Sequence, residues 1–169
     1  MDGLAGLLDS ELRRLVDRLG GWNAARWSAR TSSPPGLEAT APVRGEVARH
    51  LIQRLADLGA EMEGRPRRPV PVLDAENGYA DQIMVLGHDL VVYGGDSPRR
   101  DKLLAAGLAE VLLHRFEIDG SEPAAGPAKA ALAVLGDADV HGMDEVLAVF
   151  AAHCPGRSWG MHDDEYPGE

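Results

Sequence analysis

The chain has 169 residues, with 17 Lys and Arg against 27 Asp and Glu, a formal net charge of −10. That length suits one domain whose core needs no staple, and 44% hydrophobic with 26% charged residues excludes disordered and membrane-protein compositions. The acidic balance weighs against coating nucleic acid or anionic lipid, and a single cysteine, Cys154, leaves no intrachain disulfide or multi-cysteine zinc site.

The first eight residues carry Asp2 and no basic stretch, so no secretory signal is expected, and no apolar run approaches spanning length. A reduced, cytoplasmic setting is the expectation. The 15 arginines stand against two lysines, Lys102 and Lys129, which reads as the codon usage of a GC-rich bacterial genome.

Regular apolar spacing is helical throughout. Leu4, Leu8, Leu12, Leu15 and Leu19 step by four, four, three and four, and Gly20-Gly21 supplies a stop. A short turn or helix follows around Trp22 and Trp27, whose spacing puts them off a common helical face, so at least one should close an end of the bundle. TSSPPG (31–36) is a loop. Residues 41–63 form the second long helix, with Val47, Leu51, Leu55, Leu58 and Met62 as its stripe and Pro42 tolerated in the first turn. GRPRRPVP (64–71) has three prolines and is an extended connector.

The third long helix, 76–93, carries Tyr79, Ile83, Leu86, Leu90 and Tyr93 on one seam and Ala80, Met84, Gly87 and Val91 beside it. So wide an apolar surface predicts a central helix with neighbours on several sides. Ser97 as N-cap and Pro98 at the first position open the fourth, 99–117. Two shorter helices are expected at 128–135 and 143–153. The expectation is all-α, a four-helix-bundle-like core with two short C-terminal helices, as one domain over 1–154. Residues 155–169 form an acidic tail with four acids in the last seven residues.

Several groups of residues bear on chemistry. Asp137, Asp139 and Gly142 fall at calcium-loop positions one, three and six, but His141 and Ala148 stand where oxygen ligands are needed at five and twelve, which favours a plain turn. His50, His88 and His114 lie on three different long helices, with Glu110 one turn before His114. Side chains converging from separate helices are how bundles build metal sites. A scattered set at this spacing favours boundary histidines with structural hydrogen bonds, and the metal site is the alternative. Asp81, Gln82, His88 and Asp89 interrupt the apolar third helix and predict a polar network, with Arg13, Arg49 or Arg54 as partners for the aspartates. Arg65, Arg67 and Arg68 form a basic knot expected to bracket the acids of neighbouring helices, with an acidic partner protein as the surface that could dock there. Cys154 ends a helix, where the dipole raises a thiol pKa, so no nucleophile is expected.

Four segments resemble three groups of known proteins. ARHLIQRLAD (48–57) and LLHRF (112–116) resemble DinB-type bundles, a likeness that implies a metal held by His50, His88, Glu110 and His114, although no paired histidines and no HExxH motif are present. DQIMVLGHDL (81–90) resembles a segment of small helical proteins of high-GC Gram-positive bacteria, a likeness that implies a cytoplasmic, non-enzymatic protein. WNAARW (22–27) resembles small helical proteins encoded beside caspase-like proteases.

The function expected from sequence is non-catalytic. It is that of an interaction or accessory protein with no cofactor and a protein partner, a second copy of the chain included, docking through Trp22, Trp27, Arg65, Arg67 and Arg68. Trp and Arg are the residues enriched at interface centres. The alternatives are a metal-binding helical-bundle enzyme and a small DNA-binding regulator, the last disfavoured by charge.

Overall fold

Leucines repeating at three and four make α1 (Leu4–Leu19), with Leu8, Leu12 and Leu15 fully buried and Gly20 ending it. At about 1.5–3 kcal/mol for each fully buried leucine, this stripe is what holds α1 to its neighbours. Asn23 caps the short α2 (Ala24–Ser28), its side chain accepting from the Arg26 N–H at 3.0 Å. α3 (Arg44–Met62) begins after Pro42, which precedes the helix instead of occupying its first turn. The Glu46 carboxylate, at 3.1 Å, accepts from the Val43 N–H at its start. α4 (Tyr79–Val92), α5 (Pro98–Asp119), α6 (Ala125–Leu135) and α7 (Met143–His153) complete the order. The start of α5 is as the sequence predicts: Ser97 caps it, accepting from the Arg100 N–H, and Pro98 occupies its first turn. Its end is a left-handed Gly120 at φ 76°, a conformation costly for a side chain with a Cβ.

These elements come from a computed structural model, which describes residues 3–32, 41–73, 78–93, 97–136 and 139–154. The acidic tail 155–169, most of the TSSPPG segment, residues 94–96 and Asp137 lie outside the described residues. Among those described, the protein is all-α with no β-strand, and no helix is long and apolar enough to cross a membrane.

α1 and α3 each pack against both α4 and α5, which makes a ring of four long helices with α1 opposite α3 and α4 opposite α5. α6 and α7 add to the outside of α5. The helix surrounded on most sides is therefore α5, with thirteen buried residues, and not α4, which has six. The apolar breadth of α4 predicts a central position, but its partners α1 and α3 cover one side only. Val85 and Val92 remain more than half exposed on the other.

Gln53 ties the connector after α3 back to that helix at two points. The Gln53 amide donates to the Arg68 carbonyl at 3.0 Å and accepts from the Val70 N–H at 2.8 Å, pinning a proline-rich strip that cannot bond to itself. Arg99 and Arg100 cap helix ends: Arg99 donates to the Glu61 carbonyl, and Arg100 to the Tyr93 and Val91 carbonyls. Both satisfy the orphan acceptors that every helix C-terminus leaves.

Candidate metal centre

His50 lies on α3 and half-faces solvent, while Glu110 and His114 lie one turn apart on α5 and are fully buried. The packing of α3 on α5 brings the three together. One ligand atom from each lies within 4.8 Å of the other two. His50 Nδ1 is 2.7 Å from His114 Nε2, and the two rings stack with centroids 5.0 Å apart.

Hydrogen-bond logic fixes the protons. His114 Nδ1 lies 2.7 Å from the Glu110 backbone carbonyl, which can only accept, so Nδ1 carries the hydrogen. In a neutral His114, Nε2 is then the acceptor, and His50 donates to it from Nδ1. His114 thus presents Nε2 with its other nitrogen anchored to a carbonyl, the arrangement by which a protein orients a histidine ligand.

Glu110 is fully buried, and a carboxylate charge there would cost several kcal/mol unless paired. Arg54, one turn after His50 on α3, donates from Nε to Glu110 Oε1 at 2.6 Å, and its Nη1 lies 3.6 Å from Asp57. Glu110 Oε2 faces the histidine side, 3.5 Å from His114 Nδ1. At the end of α7, Cys154 is buried against the same carboxylate. Burial pushes its thiol pKa well up, and the charge of Glu110 and a hydrogen bond to it push the same way, while Arg54 pulls it down. A thiol so placed stays protonated at neutral pH.

A second buried ion pair lies on the other side of α5. Arg115 donates to Glu11 of α1 at 2.5 Å, and Arg14 reaches the other Glu11 oxygen at 2.7 Å. Arg18 of α1 pairs with Asp119 at 2.8 Å.

The remaining residues singled out in the sequence fall elsewhere. His88 is exposed on the outer face of α4, away from the cluster. Asp81, Gln82 and Asp89 form no buried network. Positions 81, 85, 88 and 92 follow one stripe, and it is the stripe that α1 and α3 leave uncovered. Gln82 makes a long 3.4 Å contact to the Pro71 carbonyl. The arginines considered for the aspartates are engaged otherwise, Arg13 with Asp9 and Arg54 with Glu110, while Arg49 is exposed. Trp22 and Trp27 are both buried. Their rings stand 4.9 Å apart, Trp27 meets Tyr79 edge-on, and Arg26 and Arg44 lie over Trp22. The pair closes one end of the bundle and offers no exposed anchor. Arg65 and Arg67 are exposed and pair with Glu63 and Glu61 of their own chain, and Arg68 is exposed. In the calcium-like loop, Asp139 and His141 are exposed, and the Glu145 carboxylate accepts from the His141 N–H at 2.7 Å, which ties it to the start of α7.

Arg54, which pairs with Glu110, and Cys154, buried at the end of α7, are the neighbours of the cluster that the sequence does not single out for it. Arg54 carries a signal: it stands four residues after His50 as His114 stands four after Glu110, so the pairs mirror each other on facing helices. Cys154 carries none, since its place depends on how α7 folds back onto α5.

Comparison with protein families, curated proteins and solved structures finds no match to this chain.

Proposed function

We propose that this helical protein binds a divalent transition-metal ion through His50, Glu110 and His114. The observation that carries the reading is their convergence from two helices to within 4.8 Å, with the Nδ1 of His114 already anchored. Two imidazoles and a carboxylate suit zinc, cobalt, nickel or iron, and suit magnesium and calcium poorly.

Ion binding and the His50–His114 hydrogen bond exclude each other, because both use the Nε2 lone pair of His114. The ion takes that lone pair, and His50 moves its proton to Nε2 to offer Nδ1. Two nitrogens on one tetrahedral zinc stand roughly 3.3 Å apart, so the present 2.7 Å opens by about half an ångström. A rotation of the half-buried His50 supplies that much. Arg54 holds and aims Glu110 through one oxygen while the second faces the ion.

The interaction reading has weaker support, because the two tryptophans that would anchor it are buried. The test is metal analysis and calorimetric titration of chelator-treated protein with ZnCl2, NiCl2 and MgCl2. One zinc or nickel ion per chain, lost in both His50→Ala and His114→Ala and retained in His88→Ala, is the expected outcome. Absence of stoichiometric binding by the unmodified protein sinks the reading.

A further inference from the structure

We propose that the outer face of α4 is a self-association surface, on which two copies of this chain pack antiparallel about a two-fold axis at Val85. The surface is separate from the metal centre and from the tryptophans and arginines described above. Two observations carry it. Among the described residues, the large apolar side chains left exposed are Val72, Leu73, Val85, Val92 and Tyr93, each at least 41% exposed. All five lie on α4, at its C-cap or on the chain just before it. Exposed apolar residues scattered singly need no explanation, but a set gathered on one element marks an interaction surface.

The second observation is the order of residues along the face. Leu73 lies against Gly78, and the stripe then runs through Asp81, Val85, His88 and Val92. It reads apolar, acid, apolar, base, apolar. Gly78 and Val92 stand seven residues to either side of Val85, with Asp81 four before it and His88 three after. A two-fold axis at Val85 therefore sets Val85 on its own copy and Asp81 beside His88 of the partner subunit. The same axis brings Leu73 beside Val92 of the partner subunit. On the flank, Gln82 meets Asp89 of the partner subunit, amide to carboxylate. Asp81 accepts from a histidine N–H in either protonation state of the ring. Among the described residues, neither Asp81 nor His88 pairs within its own chain. A parallel pairing would set Asp81 against Asp81, which like charge opposes.

The 14 residues of α4 make a strip about 21 Å long and one helix wide. That is smaller than a standard interface of roughly 800 Å² per partner, so a reversible dimer is expected, with a dissociation constant on the order of 10–100 μM.

The test is analytical ultracentrifugation of the full chain from about 1 to 500 μM, with chelator present and about 0.15 M NaCl to screen net charge. A monomer–dimer equilibrium is the expected result. Val85→Glu puts like charges on the axis and should weaken association at least about 100-fold, leaving monomer throughout. Asp81→His and His88→Asp should each weaken it about tenfold, because each opposes like residues across the axis. The double variant Asp81→His/His88→Asp should recover the dimer, since the two-fold restores both pairs. All three positions are exposed, and an unchanged circular dichroism melt at the lowest concentration verifies that the variants fold. Unmodified protein that stays monomeric at about 500 μM overturns the proposal. A dimer indifferent to Val85→Glu overturns this face, and failure of the double variant to recover overturns the antiparallel register.

Discussion

Arg54 and Glu110 depend on each other more than on any neighbour. Both are nearly buried and 2.6 Å apart, so removing one partner leaves the other as an uncompensated charge in the core. Arg54→Met should lower unfolding free energy by about 3–5 kcal/mol in urea, whereas the exposed Arg13→Met, which breaks a surface pair with Asp9, should change it by less than about 1 kcal/mol. Equal losses would contradict the burial argument. Cys154 gives a second residue-level expectation. Its thiol pKa is raised by folding from an ordinary value of 9.0, so above pH 9 the unfolded chain loses a proton that the folded one keeps. Stability contributed by the protonated thiol is complete below pH 9 and falls by about 1.4 kcal/mol per pH unit above it. Metal-free protein should show that decline relative to Cys154→Ser, and its thiol should react with a disulfide reagent at pH 8 only on unfolding. Matching pH profiles in the two proteins would refute it.

The contact of α1 with α4 turns on Gly87. A Cβ placed there would meet both Leu12 methyls at 2.5 Å and its Cγ at 3.1 Å, and Leu12 is fully buried. Gly87→Ala gains helix propensity, worth about 1 kcal/mol, but overpacking of this kind costs about 1–3 kcal/mol. The net expectation is a loss, measured by thermal or urea unfolding. Paired with Leu12→Ala, the added methyl should recover part of the cavity cost, so the double variant is more stable than the sum of the singles predicts. Strict additivity would place the two residues apart. Helix positions were largely legible in sequence, because leucine spacing, Ser97-Pro98 and the proline connector are local signals. Burial on α4 was not, since an apolar seam says that a helix can be covered but not by how many neighbours. The same holds for the site: His50, Glu110 and His114 were visible as candidates, but nothing in the spacing told His50 from His88. Only the packing of α3 on α5 separates them.

For the whole molecule, a metal ion bound to the folded state alone should stabilise it by mass action. At a free concentration one hundred times the dissociation constant the gain is about 2.7 kcal/mol, or roughly 5–11 °C in Tm for a chain of this size. Zinc should raise the melting temperature by that amount and a chelator should reverse it, with His114→Ala insensitive to both. A melting curve unmoved by zinc in the unmodified protein would contradict the centre.

The two buried ion pairs on α5 also bear on which arrangement of helices this sequence can adopt. Leucine and alanine faces are nearly periodic, so apolar packing alone distinguishes poorly between α5 in place and α5 slid by a turn of about 5.4 Å. Such a slide would set Val111 or Asp119 opposite Glu11, and Ala106 or His114 opposite Arg54, in place of Arg115 and Glu110. Each alternative strands buried charge against two different helices at once. Arg54–Glu110 and Glu11–Arg115 thereby work as two keys cut at different depths on one shaft, and α5 seats between α1 and α3 at a single height.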